Sequence, residues 1–238
     1  MKIRPADLGA DTFLEKWDVR LAYVAGALYK GIASEAHVAR MARAGLLAFF
    51  GSGGLRRNRL EEAACWLTHN LKRDQPFGFN LLANPVKPAL EEEVVDLLLH
   101  HKIHKAEASA YTQLSPALVR YRATGICLDA SGQPTCEHLL IAKLSRPEVA
   151  QQFLSPPPEK ILRSLVENGK ITQQQAHWAA HIPMADALTV EADSGGHTDS
   201  ASTLVVFPVI RQMRDEFIRK FDYRTSIHIG AAGGIGTL

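Results

Sequence analysis

The run Leu139-Leu140-Ile141-Ala142-Lys143-Leu144-Ser145 is apolar at every position but one before it closes on a serine. It does not alternate apolar with polar residues, as a strand with one wet face would. A short continuous apolar run of this kind predicts a strand buried on both faces, the habit of parallel sheets. Similar runs recur at 21–27, 46–51, 78–82, 106–110, 188–192 and 226–230. Helix-like spacing fills the intervals, as at 35–44, 59–72, 90–101 and 208–220. Strand and helix in alternation predict an α/β fold with a parallel sheet covered by helices. Lys143 is the exception within its run, because an ammonium inside an apolar strand is costly unless paired or put to use.

Two interruptions break the alternation. Between Tyr121 and His138 the turn-forming residues Gly125, Asp129, Gly132 and Pro134 predict a small hairpin or loop. From 155 to 186, Pro156-Pro157-Pro158 stops one element and two helical stretches follow, separated by Gly169. Thr172 and Gln175 have the spacing of a capping box at the start of the second. This segment reads as a helical insert or lid between the fifth and sixth strands. Its apolar residues Ile161, Leu162, Leu165 and Trp178 are expected either to line a substrate mouth or to pack the insert's own core.

About seven strands are countable, against the eight of a (β/α)8 barrel. The expected architecture is a single TIM-barrel-type domain over 1–238, carrying the 155–186 insert and lacking the last βα unit. Open edges on the first and last strands then predict self-association or a partner that covers them.

The bulk composition narrows the class. The 238 residues are 46% hydrophobic, enough for a substantial core, and the net charge of +2 argues against a nucleic-acid surface. Three cysteines with no CxxC pair give no disulfide or zinc framework. The N-terminus lacks the apolar run of a signal peptide and no stretch has the length of a membrane span, so the expectation is a cytoplasmic protein.

Chemistry concentrates at strand ends. Val190-Glu191-Ala192-Asp193-Ser194-Gly195-Gly196-His197-Thr198-Asp199 carries an apolar strand into carboxylates, two glycines and a histidine. Gly195 and Gly196 let a flat ligand approach the main chain, and His197 supplies a proton donor or acceptor near neutral pH. Asp193 or Asp199 could orient its ring. Glu191 and Asp193 share a face of the strand, as a carboxylate pair or as buried hydrogen-bonding partners. A second glycine-rich turn holds Gly233, Gly234, Ile235 and Gly236 after another strand, which suits a phosphate. Asn80 and Glu107 are further polar residues at strand ends, able to bond a heterocycle or a neighbouring loop. His100, His101 and His104 cluster where a helix should end; no carboxylate or thiol joins them, so no metal is expected.

Several of these segments together resemble the PfaD-type flavin enoyl reductases of polyunsaturated-fatty-acid and trans-acyltransferase polyketide synthases. They are Tyr23-Val24-Ala25-Gly26-Ala27-Leu28-Tyr29-Lys30-Gly31-Ile32-Ala33-Ser34, Phe49-Phe50-Gly51-Ser52-Gly53-Gly54-Leu55, Gly78-Phe79-Asn80-Leu81-Leu82 and Ala142-Lys143-Leu144-Ser145-Arg146-Pro147-Glu148-Val149-Ala150, with 191–199 and 231–237. The resemblance runs from about Leu8 onward. It implies an FMN-binding barrel, related to nitronate monooxygenases, that takes hydride from NAD(P)H. It also implies delivery to the β-carbon of an enoyl thioester on an acyl carrier protein. Gly26 and Ala27 would then lie along the flavin, and Asn80, Glu107 and Lys143 would surround its ring or ribityl chain. Gly195 and Gly196 would pass beside it, His197 would sit near the reacting carbon as the catalytic residue, and Gly233, Gly234 and Ile235 would hold the phosphate. Leu28 stands where the family pattern has Met and Leu238 where it has Pro, and the family continues past that point with a further helix, strand and phosphate turn. Nitronate oxidation with the same histidine as base, or a non-catalytic interaction module, are the alternative functions.

Overall fold

The computed structural model describes residues 3–72, 74–192 and 200–232. The chain forms two compact units, residues 1–107 and 108–238.

In the first unit, β1 (Val24–Ala25), β2 (Leu47–Phe50), β3 (Phe77–Leu82) and β4 (Lys105–Ser109, which runs two residues past the boundary) follow one another in sheet order as they do in the chain. β1 pairs with β2 and β2 with β3, both in parallel, with Ala25 opposite Ala48 and Phe49 opposite Gly78. All four residues of β2 are buried, as the continuous apolar pattern requires. The helices α1 (Asp11–Trp17), α2 (Glu35–Arg43), α3 (Arg57–Asn70) and α4 (Pro88–His100) supply the cover. Ser34 caps α2 by accepting the His37 amide at 3.4 Å, Glu35 sits in its first turn, and Arg40 and Arg43 close it, each charge favourable to the helix dipole. Leu60, Ala63, Ala64 and Leu67 recur at helical spacing and are the buried stripe of α3. Pro88 opens α4 at a position where its missing N–H costs nothing.

Gly78 has a purely steric reason to be glycine. A Cβ there would stand 2.2 Å from the Lys105 carbonyl oxygen and 2.6 Å from the Phe49 ring. Lys105 itself is tucked in, and burial lowers its ammonium pKa while Asp18 pulls more weakly the other way. Its folded pKa therefore lies below its unfolded one, near 10.4. The unfolded chain takes up the proton first as pH falls, so the lysine lowers stability at neutral pH relative to strongly alkaline pH. Lys105→Met is expected to raise the denaturation midpoint at pH 7, and the gain should vanish above about pH 10.5. An unchanged midpoint at pH 7 would contradict this.

The second unit begins with α5 (Pro116–Thr124), capped by Ser115, which accepts the Leu118 amide at 3.1 Å. An antiparallel hairpin follows, β5 (Ile126–Leu128) against β6 (Pro134–Cys136), with Ile126 opposite Cys136. The Asp129 carboxylate closes its turn by accepting the Ser131 and Gln133 amides at 2.8 and 2.9 Å. β7 (Leu139–Leu144), α6 (Pro147–Leu154), α7 (Glu159–Glu167), α8 (Gln173–Ala179), β8 (Ala187–Glu191), α9 (Thr203–Phe221) and β9 (His228–Ala232) complete it. β7, β8 and β9 are neighbours in that order and parallel, Lys143 standing opposite Thr189 and Glu191 opposite Ala232.

The 155–186 segment holds α7 and α8, and the Thr172–Gln175 capping box is present with both of its bonds. The two helices pack on each other and on α5, and Gln175 Nε2 donates to the Thr124 carbonyl at 3.1 Å. Leu162 and Leu165 are buried, so these two pack the insert rather than line a mouth.

Several boundaries differ from the sequence pattern. The expected 21–27 strand is only Val24–Ala25, because Tyr23 donates its amide back to Leu21 at 2.7 Å and the Ala27 amide is taken by a side chain. The last strand lies two residues later than expected, its start set by the His228 amide donating to the Asp186 carbonyl at 3.0 Å. α9 begins five residues before Pro208, which the helix tolerates internally. Helices α1, α5 and α6 are additional to the helical intervals read from the sequence, although Val149, Ala150, Phe153 and Leu154 of α6 recur at helical spacing and are buried. All three cysteines are free thiols, and burial pushes that of Cys136 up to about 11.

Candidate functional site

The loop after β1 is fixed from below by a buried carboxylate. Glu107, at the middle of β4, directs its side chain back so that Oε2 accepts the Ala27 amide at 2.9 Å. Asn80 of β3 approaches the same residue, its Nδ2 donating to the Glu107 carbonyl at 3.0 Å and standing 3.5 Å from Oε2. Ser52, just past β2, donates its hydroxyl to the Asn80 carbonyl. Ser52, Asn80 and Glu107 are all buried. Parallel strands bring one polar residue from each of three neighbours to one place. Each of these bonds ties a strand to the next or to the loop that β1 feeds.

The same loop is pressed against the end of β2. The Gly31 amide donates to the Gly51 carbonyl and the Lys30 amide to the Gly53 carbonyl, both at 2.9 Å. A Cβ on Gly51 would lie 1.7 Å from the Leu28 carbonyl oxygen, so only glycine admits this approach. Beside it opens a cavity of about 400 Å³, walled by Tyr29, Ser52, Gly53, Leu55, Leu82 and Asn84 among others. The walls pair apolar side chains with a few polar groups, the composition of a small-molecule pocket.

In the second unit, Lys143 near the end of β7 pairs with Glu191 at the end of β8. Nζ and Oε1 are 3.0 Å apart, with side-chain exposures of only 14% and 11%. The pairing accounts for how the apolar run tolerates a lysine, and it holds an ion-paired, mostly shielded cation near a strand C-terminus. Gly26 and Ala27 are both partly exposed, as a backbone surface open to a ligand would be.

Thus the structure brings together Ala27, Asn80 and Glu107, and separately Lys143 and Glu191. Gly195, Gly196 and His197 lie outside the described residues, as do Asp193, Asp199, Gly233, Gly234 and Ile235. Ser52 escaped sequence reasoning, although it sits in the quoted Gly51-Ser52-Gly53-Gly54 turn. One further correction concerns the histidines of α4. A carboxylate does join them: Glu61 of α3 reaches His101, with Oε1 and Nε2 2.5 Å apart. Helix packing across a separation of 40 residues supplies it, and no local pattern signals that.

Parallel strands whose polar groups gather from mid-strand to just past the strand end are the arrangement of a barrel enzyme's working face. Comparison with known proteins shows what the chain is similar to. The chain is 44% identical over 235 residues to the polyketide biosynthesis protein PksE of Bacillus subtilis, covering 99% of this chain and 31% of that protein. It is 39% identical over 232 residues to a polyunsaturated fatty acid synthase component of a Thraustochytrium, covering 97% of this chain and 15% of that one. Among solved structures it matches the enoyl reductase domain of MlnA, from the macrolactin cluster of Bacillus amyloliquefaciens. That match has a TM-score of 0.92 at 38% identity, covering 97% of this chain and 52% of the other. No protein-family model matches. The chain is homologous over nearly all its length to a segment of polyketide and polyunsaturated-fatty-acid synthase proteins, and it has the TIM-barrel-type fold of their enoyl reductases. It spans less than a third of the curated relatives it matches. Among the described residues no helix is long and apolar enough to cross a membrane.

Proposed function

We propose that this chain is the flavin-binding part of an enoyl reductase that serves a polyketide or polyunsaturated-fatty-acid synthase. The observation that carries the reading is that 97% of this chain superposes on 52% of the MlnA enoyl reductase domain, at a TM-score of 0.92 and 38% identity. The substrate class is an α,β-unsaturated thioester on an acyl carrier protein. FMN, when bound, supplies hydride transfer from NAD(P)H to the β-carbon.

The side chains suit such a cofactor by their chemistry. The Lys143 ammonium can stabilise negative charge on a reduced ring, the use to which barrels put a cation beside such a cofactor. Glu107 holds the Ala27 amide and so keeps the 26–27 backbone in place as a flat bed. The Asn80 side chain is held by donating Nδ2 to the Glu107 carbonyl, which restricts its rotamer and pre-orients any group it offers to a ligand, while Ser52 fastens its main-chain carbonyl. Gly233, Gly234 and Ile235 are assigned to the phosphate. His197 is assigned to hold the proton destined for the α-carbon or to position the thioester.

Purification of the full chain should give a yellow protein whose heat-released chromophore is FMN. Recovery of FAD, or a colourless protein that takes up no added FMN, would overturn the assignment. A placed acid typically contributes about 10²–10⁴-fold. His197→Ala should therefore keep its flavin yet slow reoxidation by an enoyl thioester by roughly that factor. Unchanged reoxidation would remove His197 from the mechanism.

A further inference from the structure

We propose that Glu61, His100 and His101 form a binding site for a divalent transition metal of the zinc type, with Cys65 as its fourth ligand. The site lies on the outer helices of the first unit and owes nothing to the flavin reading.

The ligand atoms of Glu61, His100 and His101 already lie within 4.8 Å of one another. His101 Nε2 is 2.5 Å from Glu61 Oε1, and the two imidazoles meet edge to face with centroids 4.9 Å apart. Cys65 follows Glu61 by one helical turn, and its Sγ is 4.0 Å from Glu61 Oε1. Residues at i and i+4 share a helix face, so α3 presents both to the end of α4. Two imidazoles, a carboxylate and a thiolate are the donors zinc takes, at about 2.0–2.3 Å. In a tetrahedron these bond lengths put ligand atoms roughly 3.3–3.7 Å apart. To reach that spacing the His101–Glu61 contact must open by about an ångström and His100 must close on the other two, while Cys65 Sγ, which stands outside the group of atoms within 4.8 Å of one another, must swing in from its exposed position on α3. Glu61 has room to do so, its side chain being 42% exposed, while His101 at 12% is held by packing.

The site has a mechanical consequence. Leu60 and Leu97, which help wall the 400 Å³ cavity, stand one residue before Glu61 and three before His100. A metal here would staple α3 to α4 beside that cavity. Without one, the same residues make a histidine–carboxylate bond.

The test uses the full chain stripped with a chelator and titrated with zinc chloride, and separately with cobalt(II) as a spectroscopic substitute. One equivalent of zinc should bind and raise the melting temperature. Cobalt should give the intense visible bands of tetrahedral coordination and a near-ultraviolet thiolate band. The double variant His100→Ala/His101→Ala, which also gives up the His101–Glu61 bond, should remain folded at a lower melting temperature, lose stoichiometric binding and show no zinc-induced rise above its own baseline. Glu61→Gln should weaken binding by about tenfold or more, the scale of losses at metal sites. Cys65→Ser should abolish the thiolate band. A control double variant at His177 and His181, which form a histidine pair on and just after α8, should bind as wild type does. Absence of stoichiometric binding, or binding insensitive to the His100/His101 change, would overturn the site. A cobalt spectrum lacking the thiolate band would overturn the role of Cys65.

Discussion

Asp186→Ala is expected to cost the second unit about 3–5 kcal/mol, the range for breaking one side of a buried ion pair. Arg122 and Asp186 are the buried charges at its centre, with side-chain exposures of 2% and 3%. They meet in a two-pronged contact, Nη1 to Oδ2 at 2.6 Å and Nη2 to Oδ1 at 3.1 Å. The remaining valences are also used. Arg122 Nη1 donates to the His138 carbonyl at 2.7 Å, Nε and Nη2 donate to the Pro183 carbonyl, and Asp186 Oδ2 accepts the Leu140 amide at 2.9 Å. The pair thereby fastens α5, the start of β7 and the approach to β8. Burial lowers the Arg122 guanidinium pKa, and Asp186 together with Cys136 and Tyr121 more than offsets it; a guanidinium does not give up its proton in proteins, so the charge remains when the partner is removed. Truncation at 186 leaves that cation buried and unpaired, and it orphans the Leu140 amide as well. Against a total stability of about 5–15 kcal/mol, such a loss is severe. Arg122→Met/Asp186→Leu should recover the part owed to the unpaired charge, because charge and counter-charge leave together, but not the part owed to the Leu140 amide and the His138 and Pro183 carbonyls. Denaturant unfolding of both variants provides the check. A loss under about 1 kcal/mol for the single variant would show that water reaches the arginine and screens it.

Glu107→Ala should have the largest effect on cofactor retention. The substitution frees the part-buried Ala27 amide of its acceptor and removes one constraint on Asn80, whose Nδ2 keeps the Glu107 carbonyl. Leaving such a donor unpaired costs about 1–3 kcal/mol. The fold should survive that while the 26–27 backbone loses its anchor. On the proposed function, FMN affinity falls by about tenfold or more, since each 1.4 kcal/mol of lost preorganisation is a factor of ten. Glu107→Gln separates geometry from charge. Its amide oxygen can still accept from Ala27, but its amide nitrogen then faces the Asn80 amide, donor against donor. Fluorescence titration with FMN and melting of the flavin-free proteins measure the two effects. A Glu107→Ala protein with wild-type melting and wild-type FMN affinity would remove the anchoring role.

The sheet was legible because its strands are buried on both faces. Runs such as Leu139–Leu144 carry no polar residue that a helix-facing surface would reject, and Lys143 was visible as the exception. The hairpin and the α8 cap were legible because both rest on local chemistry, Asp129 with its turn and Thr172 with Gln175. What depends on distant partners was not. Nothing near Lys143 names Glu191 as its counter-ion, and nothing near His101 announces Glu61. Arg122 passed unremarked because its partner lies 64 residues away. β1 was overestimated for the same reason: the amide that would have extended it is claimed by Glu107, 80 residues on. Gly195, Gly196, His197, Gly233, Gly234 and Ile235 fall outside the described residues, so their reading rests on the sequence alone.

The 64-residue span between Arg122 and Asp186 also sets a schedule for synthesis. Chains emerge from the ribosome at about 5–20 residues per second, so the arginine is made roughly 3–13 s before its counter-ion. The hairpin, α6 and the α7–α8 pair are all made within that interval and can form by near-neighbour contacts. They cannot close over Arg122, however, because a lone guanidinium resists leaving water. The expected consequence is that the second unit closes only after Asp186 has emerged, so stalled nascent chains ending before and after that residue should differ in protease resistance.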